Sequence, residues 1–336
     1  MTPEELALSG AVAAAFEAGE AVRGTTSPNP PVGCSLVDAS GELIATGVTS
    51  PVGGPHAEIN ALHAAGERAR GATAVVTLEP CNHTGRTGPC SHALVEAGVA
   101  RVVYFTADPF APAAGGAEYL RAHGVEVDFQ PVRVAALQPW LRSVRHGRPS
   151  VTLKFATTLD GFTAAADGTS QWITGSEARE LVHEDRAKLD AIIVGTGTAI
   201  ADNPSLTARY PDGSLREHQP RRVVVGKRQV PAGNLTALGF EQYATPQEAL
   251  DALWETGARD VLVEGGAALA ASFLELDVVD AVQAYIAPAL LGAGRGVLDR
   301  ALATTIADAR RFHTTFVRRV GEDVFIEMER DVYGSD

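Results

Sequence analysis

Ala74-Val-Val-Thr-Leu-Glu-Pro-Cys81, continued through Asn82-His-Thr-Gly-Arg-Thr-Gly-Pro-Cys90, decides how the first half of this chain folds. Ala74–Leu78 is an apolar, β-branched run of strand length, and Pro80 closes it. A helical pattern follows Pro89-Cys90, with Ala93, Leu94 and Ala97 on one face. Two thiols therefore bracket a strand-to-helix connection. Upstream, Pro55-His-Ala-Glu58 opens another helix, carried on by Ile59 and Leu62. One imidazole and two thiolates make three zinc ligands and leave the fourth tetrahedral position open to water. Each ligand falls near a helix N-terminus, where the dipole favours thiolate and other anions.

His-x-Glu followed by Pro-Cys and a second Cys is the spacing of zinc-dependent nucleobase deamination. The metal lowers the pKa of its water towards neutrality, and a glutamate beside it can move protons without occupying the metal. Taken singly, His-Ala-Glu is common in helices, and two cysteines suit a structural zinc site or two core thiols. Their order, with Glu79-Pro80 and two helix starts, selects a catalytic site with His56, Cys81 and Cys90 as metal ligands and Glu58 as the catalytic group.

Outward from this stretch the first half alternates. A helix is expected over 4–22, ending before Gly24, and Val32–Val37 with Leu43–Thr46 forms a hairpin about Asp38–Gly41. A strand at Val102–Phe105, a helix near Glu118–His123 and a strand at Val125–Phe129 follow. Such alternation predicts an α/β layered domain, much of its sheet parallel, with the ligand site where strand ends meet helix starts. Trp140–Pro149, basic and broken by Gly and Pro, reads as the boundary, giving domains 1–147 and 148–336. Ala111–Gly116, rich in small residues, reads as a loop.

The alternation resumes with strands at Val151–Ala156, Ala191–Val194, Arg222–Val225, Val261–Val263 and Val282–Ile286. Helices are expected at Ser176–Lys188, near Pro246–Thr256 and from Ala267, with Thr314–Val320 and Asp323–Glu329 as an antiparallel finish. Val261-Leu-Val-Glu-Gly-Gly-Ala-Ala268 is a buried strand, two glycines and a helix start. That arrangement either presents backbone N–H groups to a phosphate or is a plain turn; it is not the three-glycine dinucleotide fingerprint. Ile193–Thr198 ends in glycines and hydroxyls, with Asp202 beyond it, and Lys154, Arg186 and Arg209 offer positive charge. The second half is thus expected to bind a phosphorylated small molecule or a dinucleotide.

The 336 residues, 45% of them hydrophobic, suffice for two cores at about 150 residues per domain. A net charge of −13 argues against a broad grip on nucleic acid or an anionic membrane surface. Met1-Thr-Pro-Glu-Glu5 lacks the features of a secretory signal, and no apolar run reaches bilayer length. With Cys81 and Cys90 assigned to metal, Cys34 remains as a core thiol, there is no disulfide framework, and a cytoplasmic location is expected.

Across nearly its whole length the chain resembles the bifunctional deaminase–reductases of riboflavin biosynthesis. The first half carries the likeness in Ser27–Gly33, His56-Ala-Glu58, Ala74–Cys90 and Asp108-Pro109. The second carries it in Leu153-Lys154, Thr158–Gly161, Ser170–Thr174, Asp190–Gly195, Asp202–Thr207 and Glu264-Gly-Gly266. The resemblance implies a cytidine-deaminase-like α/β/α domain followed by a dihydrofolate-reductase-like α/β domain. It implies zinc-dependent hydrolysis of the 2-amino group of a diaminopyrimidine ribosyl phosphate, then reduction of the ribosyl group to ribityl by NADPH. By matching positions, Asn29, Ser170, Arg186, Leu206, Arg209 and Glu264 would contact substrate, the arginines holding its 5′-phosphate. Ala156, Trp172, Thr198, Asp202 and the run Gly266, Ala267, Ala268, Leu269, Ala270, Ala271, Ser272 would contact NADPH. The family also implies a homo-oligomer, a dimer or tetramer. Thr49 and Phe110 stand where many relatives have histidine and asparagine, so a related pyrimidine, with a second domain that binds a nucleotide without reducing it, is the alternative.

Overall fold

The computed structural model describes residues 3–83, 88–110 and 113–330. Positions 84–87 of the ligand loop, 111–112 of the small-residue loop and the chain ends lie outside them. Two compact units meet in sequence at His146 and Gly147.

The first unit runs α1 (Pro3–Ala21), β1 (Gly33–Val37), β2 (Leu43–Val48), α2 (Ala57–Ala65), β3 (Thr73–Val76), α3 (Cys90–Glu96), β4 (Arg101–Tyr104), α4 (Gly116–Ala122), β5 (Glu126–Phe129) and α5 (Gln138–His146). Its sheet has the order β2-β1-β3-β4-β5. β1 is antiparallel to β2, as the hairpin reading requires, and also to β3, whereas β3, β4 and β5 are parallel. Leu36, Val75, Val76, Leu94, Val102 and Leu120 fill the core, and Cys34 is buried among them. Two glycines let helices press on the sheet: a Cβ on Gly33 would lie 1.9 Å from Ala15 O, and one on Gly47 2.2 Å from Ala57 O.

The segment expected to break the pattern from Trp140 is instead helical through His146. Its charges sit on an amphipathic helix: Trp140 and Leu141 are buried, Trp140 Nε1 donates to Pro28 O at 3.1 Å, and Arg145 and His146 occupy the last turn.

The second unit comprises β6 (Ser150–Thr158), β7 (Phe162–Ala165), α6 (Ser176–Arg186), β8 (Ala191–Gly195), α7 (Thr196–Asp202), β9 (Arg221–Val225), α8 (Asn234–Leu238) and β10 (Glu241–Tyr243). It continues with α9 (Pro246–Glu255), β11 (Asp260–Glu264), α10 (Ala267–Glu275), β12 (Ala281–Ala287), β13 (Gly294–Gly296), β14 (His313–Val320) and β15 (Asp323–Glu329). Sheet order is β10-β9-β8-β11-β6-β12-β15-β14, parallel as far as β12 and antiparallel beyond. The strands against α9 and α10 are almost unbroken Val, Ile and Leu, as a sheet covered on both faces demands. Asp280 anchors the first strand, accepting both terminal nitrogens of Arg148 at 2.7 and 2.8 Å and the Val151 N–H at 2.8 Å. β11 lies between β8 and β6, so the ends of β8 and β11, which feed α7 and α10, come together with the end of β6.

Candidate active sites

His56 is the N-cap of α2, Cys90 opens α3, and Cys81 lies in the connection after β3. His56 Nδ1 stands 3.6 Å from Cys81 Sγ and 3.4 Å from Cys90 Sγ, and all three donor atoms lie within 4.8 Å of one another. A tetrahedral zinc with bonds of about 2.3 Å to sulfur and 2.0–2.1 Å to nitrogen would separate N from S by about 3.6 Å, so the donor set fits the ion. The Cys90 N–H also points at Cys81 Sγ, at 3.5 Å, which brings Cys81 to the start of α3. The bond from the Cys90 thiol holds Cys81 down to about 4, as thiolate, and the same bond pushes Cys90 up.

Glu58, in the first turn of α2, is buried, and burial, then the charge of Cys81, pushes its carboxyl up to about 7. A carboxyl poised there can both take and give a proton near neutral pH. Glu79 ties the ligand loop to α4, its carboxylate accepting the Ala117 N–H at 3.1 Å and the Asp108 N–H at 3.4 Å. Asn29, half-buried ahead of β1, has its carbonyl held by Thr26 Oγ1 at 3.0 Å, and its side-chain amide has no partner among the described residues. Thr49 is buried with its Oγ1 accepting the Val32 N–H at 3.2 Å, whereas Phe110 is exposed.

The second unit contains a cavity of about 510 Å³, within the range of about 300–1,000 Å³ usual for small-molecule sites. Ala156, Ser170, Arg186, Thr198, Asp202, Leu206, Glu264, Gly266, Ala267, Ala268 and Ala270 line it. These residues come from five separate stretches of the chain, so the fold gathers most of the positions implied by the resemblance.

The others lie elsewhere. Trp172 is 69% exposed, with the Arg179 guanidinium 4.5 Å over its ring. Leu269 and Ala271 turn into the core because successive helical positions cannot all face one way, and Ser272 Oγ donates to Ala268 O at 2.8 Å. Arg209 Nε donates to Thr207 Oγ1 at 2.8 Å. Arg186 lines the cavity, but its planar fork is already taken: Nε and NH2 bind the Glu264 carboxylate at 2.8 and 2.7 Å.

Burial would raise the Glu264 carboxyl, but Arg186 and Lys154 outweigh it and hold it at about 2. Lys154 lines the same cavity, its Nζ 5.5 Å from the Tyr285 ring centroid, and burial lowers its pKa despite Glu264.

Arg295 also lines the cavity, from a stretch in which the sequence alone points to no site residue. Asp160 fixes that stretch by accepting the N–H groups of Leu291, at 3.0 Å, and Gly292, at 2.7 Å. The glycines of Gly292-Ala-Gly-Arg-Gly296 are the one available signal there.

Two family models match the chain: the cytidine and deoxycytidylate deaminase zinc-binding region over residues 8–106, and the RibD C-terminal domain over 149–326. The riboflavin biosynthesis protein RibD of Corynebacterium ammoniagenes is 59% identical over 89% of this chain and 91% of its own length. That of Escherichia coli is 37% identical over 94% of this chain and 98% of its own. Among solved structures, the Thermotoga maritima diaminohydroxyphosphoribosylaminopyrimidine deaminase/5-amino-6-(5-phosphoribosylamino)uracil reductase aligns with a TM-score of 0.86 at 32% identity, covering 96% of this chain and 99% of that one. Acinetobacter baumannii RibD aligns at 0.82 and 36%, over 96% of this chain and 99% of that one.

Proposed function

The chain belongs to the RibD family of riboflavin-biosynthesis deaminase–reductases, and on that premise we propose how its residues divide the two reactions. His56, Cys81 and Cys90 hold zinc in the first unit, and NADPH occupies the cavity of the second. When bound, zinc activates the attacking water and NADPH supplies the hydride. The observation that carries the reading is the fit of the three donor atoms to a zinc tetrahedron beside the buried, near-neutral Glu58.

In the first step, the substrate is 2,5-diamino-6-(ribosylamino)pyrimidin-4-one 5′-phosphate. Glu58 takes a proton from water as its oxygen adds to C2, then gives it to the amino nitrogen, which leaves as ammonia. The uracil remains. Asn29 offers its amide to the pyrimidine edge. In the second step, the open-chain imine of the sugar accepts hydride at C1′, and a proton completes the ribityl amine. Ala156, Thr198, Asp202 and the Gly266–Ala268 turn bind the cofactor in this reading. Ser170, Leu206 and Glu264 face the substrate, with Arg186 orienting Glu264.

Three free cysteines and the absence, among the described residues, of a helix long and apolar enough to cross a membrane are compatible with cytoplasmic work. The edge strand β14 exposes Phe316 and Val317, which suits self-association of the chain.

Product analysis by mass spectrometry tests the assignment. Without NADPH the diaminopyrimidine ribosyl phosphate should be converted only to the uracil with release of ammonia, and NADPH should then carry it to the ribityl product. A zinc-loaded protein that leaves this substrate untouched would point to a related pyrimidine and refute the first step.

A further inference from the structure

β7 and β13 pair as a two-stranded ribbon outside the main sheet of the second unit. Thr163, Ala164 and Arg295 of this ribbon line the cavity, with Gly168 and Val297 just beyond it. The ribbon is fastened where it leaves β6 and β12. The Leu159 N–H donates to Ala289 O at 2.9 Å. Asp160 accepts Thr158 Oγ1 at 2.5 Å as well as the N–H groups of Leu291 and Gly292. Further along, Thr163 Oγ1 donates to Arg295 O at 3.1 Å, and a Cβ on Gly294 would lie only 2.2 Å from Ala164 O. β7 thus holds the backbone of Arg295 firmly.

The Arg295 guanidinium is not held. It lies over the Gly168 turn, with NH2 3.4 Å from where a Cβ on that glycine would be. It has no hydrogen bond or ion pair among the described residues. α7 brings Asp202 to the same cavity, and that carboxylate is likewise unpaired among them. Both residues are exposed, so they stand where the cavity opens to water. What shielding Asp202 has raises its carboxyl, and the charge of Arg295 acts against that rise. Two opposite charges, on separate elements, therefore share one opening.

Water in the opening screens them from each other. A bound cofactor displaces that water, and attraction between opposite charges grows about fourfold from bulk water to a medium of protein-like polarity. We propose that Arg295 is a positioning residue for the reduction, pairing with Asp202 over the bound cofactor and drawing the ribbon onto α7. The inference deepens the NADPH reading and rests on it. A carboxylate has lone pairs for a guanidinium and a ribose hydroxyl together, so the pair does not compete with a cofactor contact of Asp202. Closing the opening excludes water from the hydride and keeps the reacting carbons aligned.

Release of NADPH from the full-length protein, followed by stopped-flow fluorescence, tests the pairing apart from turnover. Single-turnover oxidation of NADPH by the aminouracil ribosyl phosphate reads its effect on the hydride step. Arg295→Gln should release NADPH about tenfold faster, as loss of one charge-assisted contact predicts, and should slow the hydride step. Arg295→Lys should restore part of both. In a double-mutant cycle, Asp202→Asn/Arg295→Gln should be no worse than Asp202→Asn alone, because the pair is already broken. Wild-type release from Arg295→Gln overturns the inference and leaves the NADPH reading standing. So does an Arg295→Gln effect that is just as large in the Asp202→Asn background. Wild type that binds no NADPH overturns both.

Discussion

Arg186 and Glu264 face each other as fork to fork in the second unit, Nε to Oε1 at 2.8 Å and NH2 to Oε2 at 2.7 Å, with Arg186 NH1 also on Thr207 O at 3.1 Å. Neither side chain is more than 15% exposed. Removing one partner of such a pair strands a buried charge, at a cost of about 3–5 kcal/mol. Arg186→Ala should therefore lower the stability of the second unit by several kcal/mol in urea unfolding and abolish NADPH-dependent reduction. Ammonia release, carried by residues of the other unit, should survive below the unfolding transition.

The same pair sets a pH dependence. Glu264 is held at about 2 in the folded protein, against about 4.3 for an unfolded-chain glutamate. A depressed carboxyl contributes stability that is complete above its unfolded pKa and is lost as pH falls towards its folded one. From pH 5 to pH 3 the Glu264 contribution should shrink by about 2 kcal/mol. The urea midpoint of wild type should fall more steeply over that interval than that of Glu264→Gln. Parallel pH curves would show that the carboxylate is not held down by Arg186 and Lys154.

Elements with strong periodicity are legible in the amino-acid sequence alone, because a buried parallel strand such as Val261–Val263 and a ligand-spaced loop such as Cys81–Cys90 leave signatures local to the chain. α5 escapes such a reading because its charges resemble those of a linker, although Arg145 and His146 are the exposed last turn of a helix that buries Trp140, Leu141 and Arg142. β13 has no strand propensity at all, being Gly294-Arg-Gly296, and exists through its pairing with β7. The Arg186–Glu264 fork spans 78 positions. Two residues that remote can each be suspected of touching substrate, but that they touch each other is a property of the sheet order.

Glu58 is a stringent test of the first unit because it binds no metal in the proposed mechanism. Glu58→Gln keeps the volume and removes the proton carrier, so ammonia release should fall by about 10²–10⁴-fold. Zinc content, measured by elemental analysis, should equal that of wild type, and reduction of added aminouracil ribosyl phosphate should be unaffected. Loss of zinc together with activity would instead place Glu58 among the ligands.

Cys34 supplies the matching control for the thiols. It is fully buried in β1 and stands outside the donor cluster, which contains His56, Cys81 and Cys90. Cys34→Ser places a hydroxyl in an apolar core and should cost about 1–3 kcal/mol while leaving one zinc per chain. Cys81→Ser and Cys90→Ser should each lower zinc occupancy and silence ammonia release.

The geometry of the metal loop depends on a residue that carries no chemistry. Gly116 opens α4 directly against the residue before Cys81, and a Cβ there would lie 1.7 Å from Pro80 O. Neither partner can yield by rotating a side chain, since both contacts are backbone; the Pro80–Cys81 segment or the helix must move. Gly116→Ala should thus destabilise the first unit by about 1–3 kcal/mol, as overpacking does, and also weaken zinc binding. Gly124 separates the two effects. It sits at φ +82° with nothing within 4 Å of the position a Cβ would take, so alanine there is penalised by the backbone alone, by about 1–2 kcal/mol. Gly124→Ala should match Gly116→Ala in stability loss yet retain the zinc affinity of wild type in a chelator competition. Equal zinc affinity in the two variants would mean that Cys81 tolerates the displacement and that α4 does not set the ligand position.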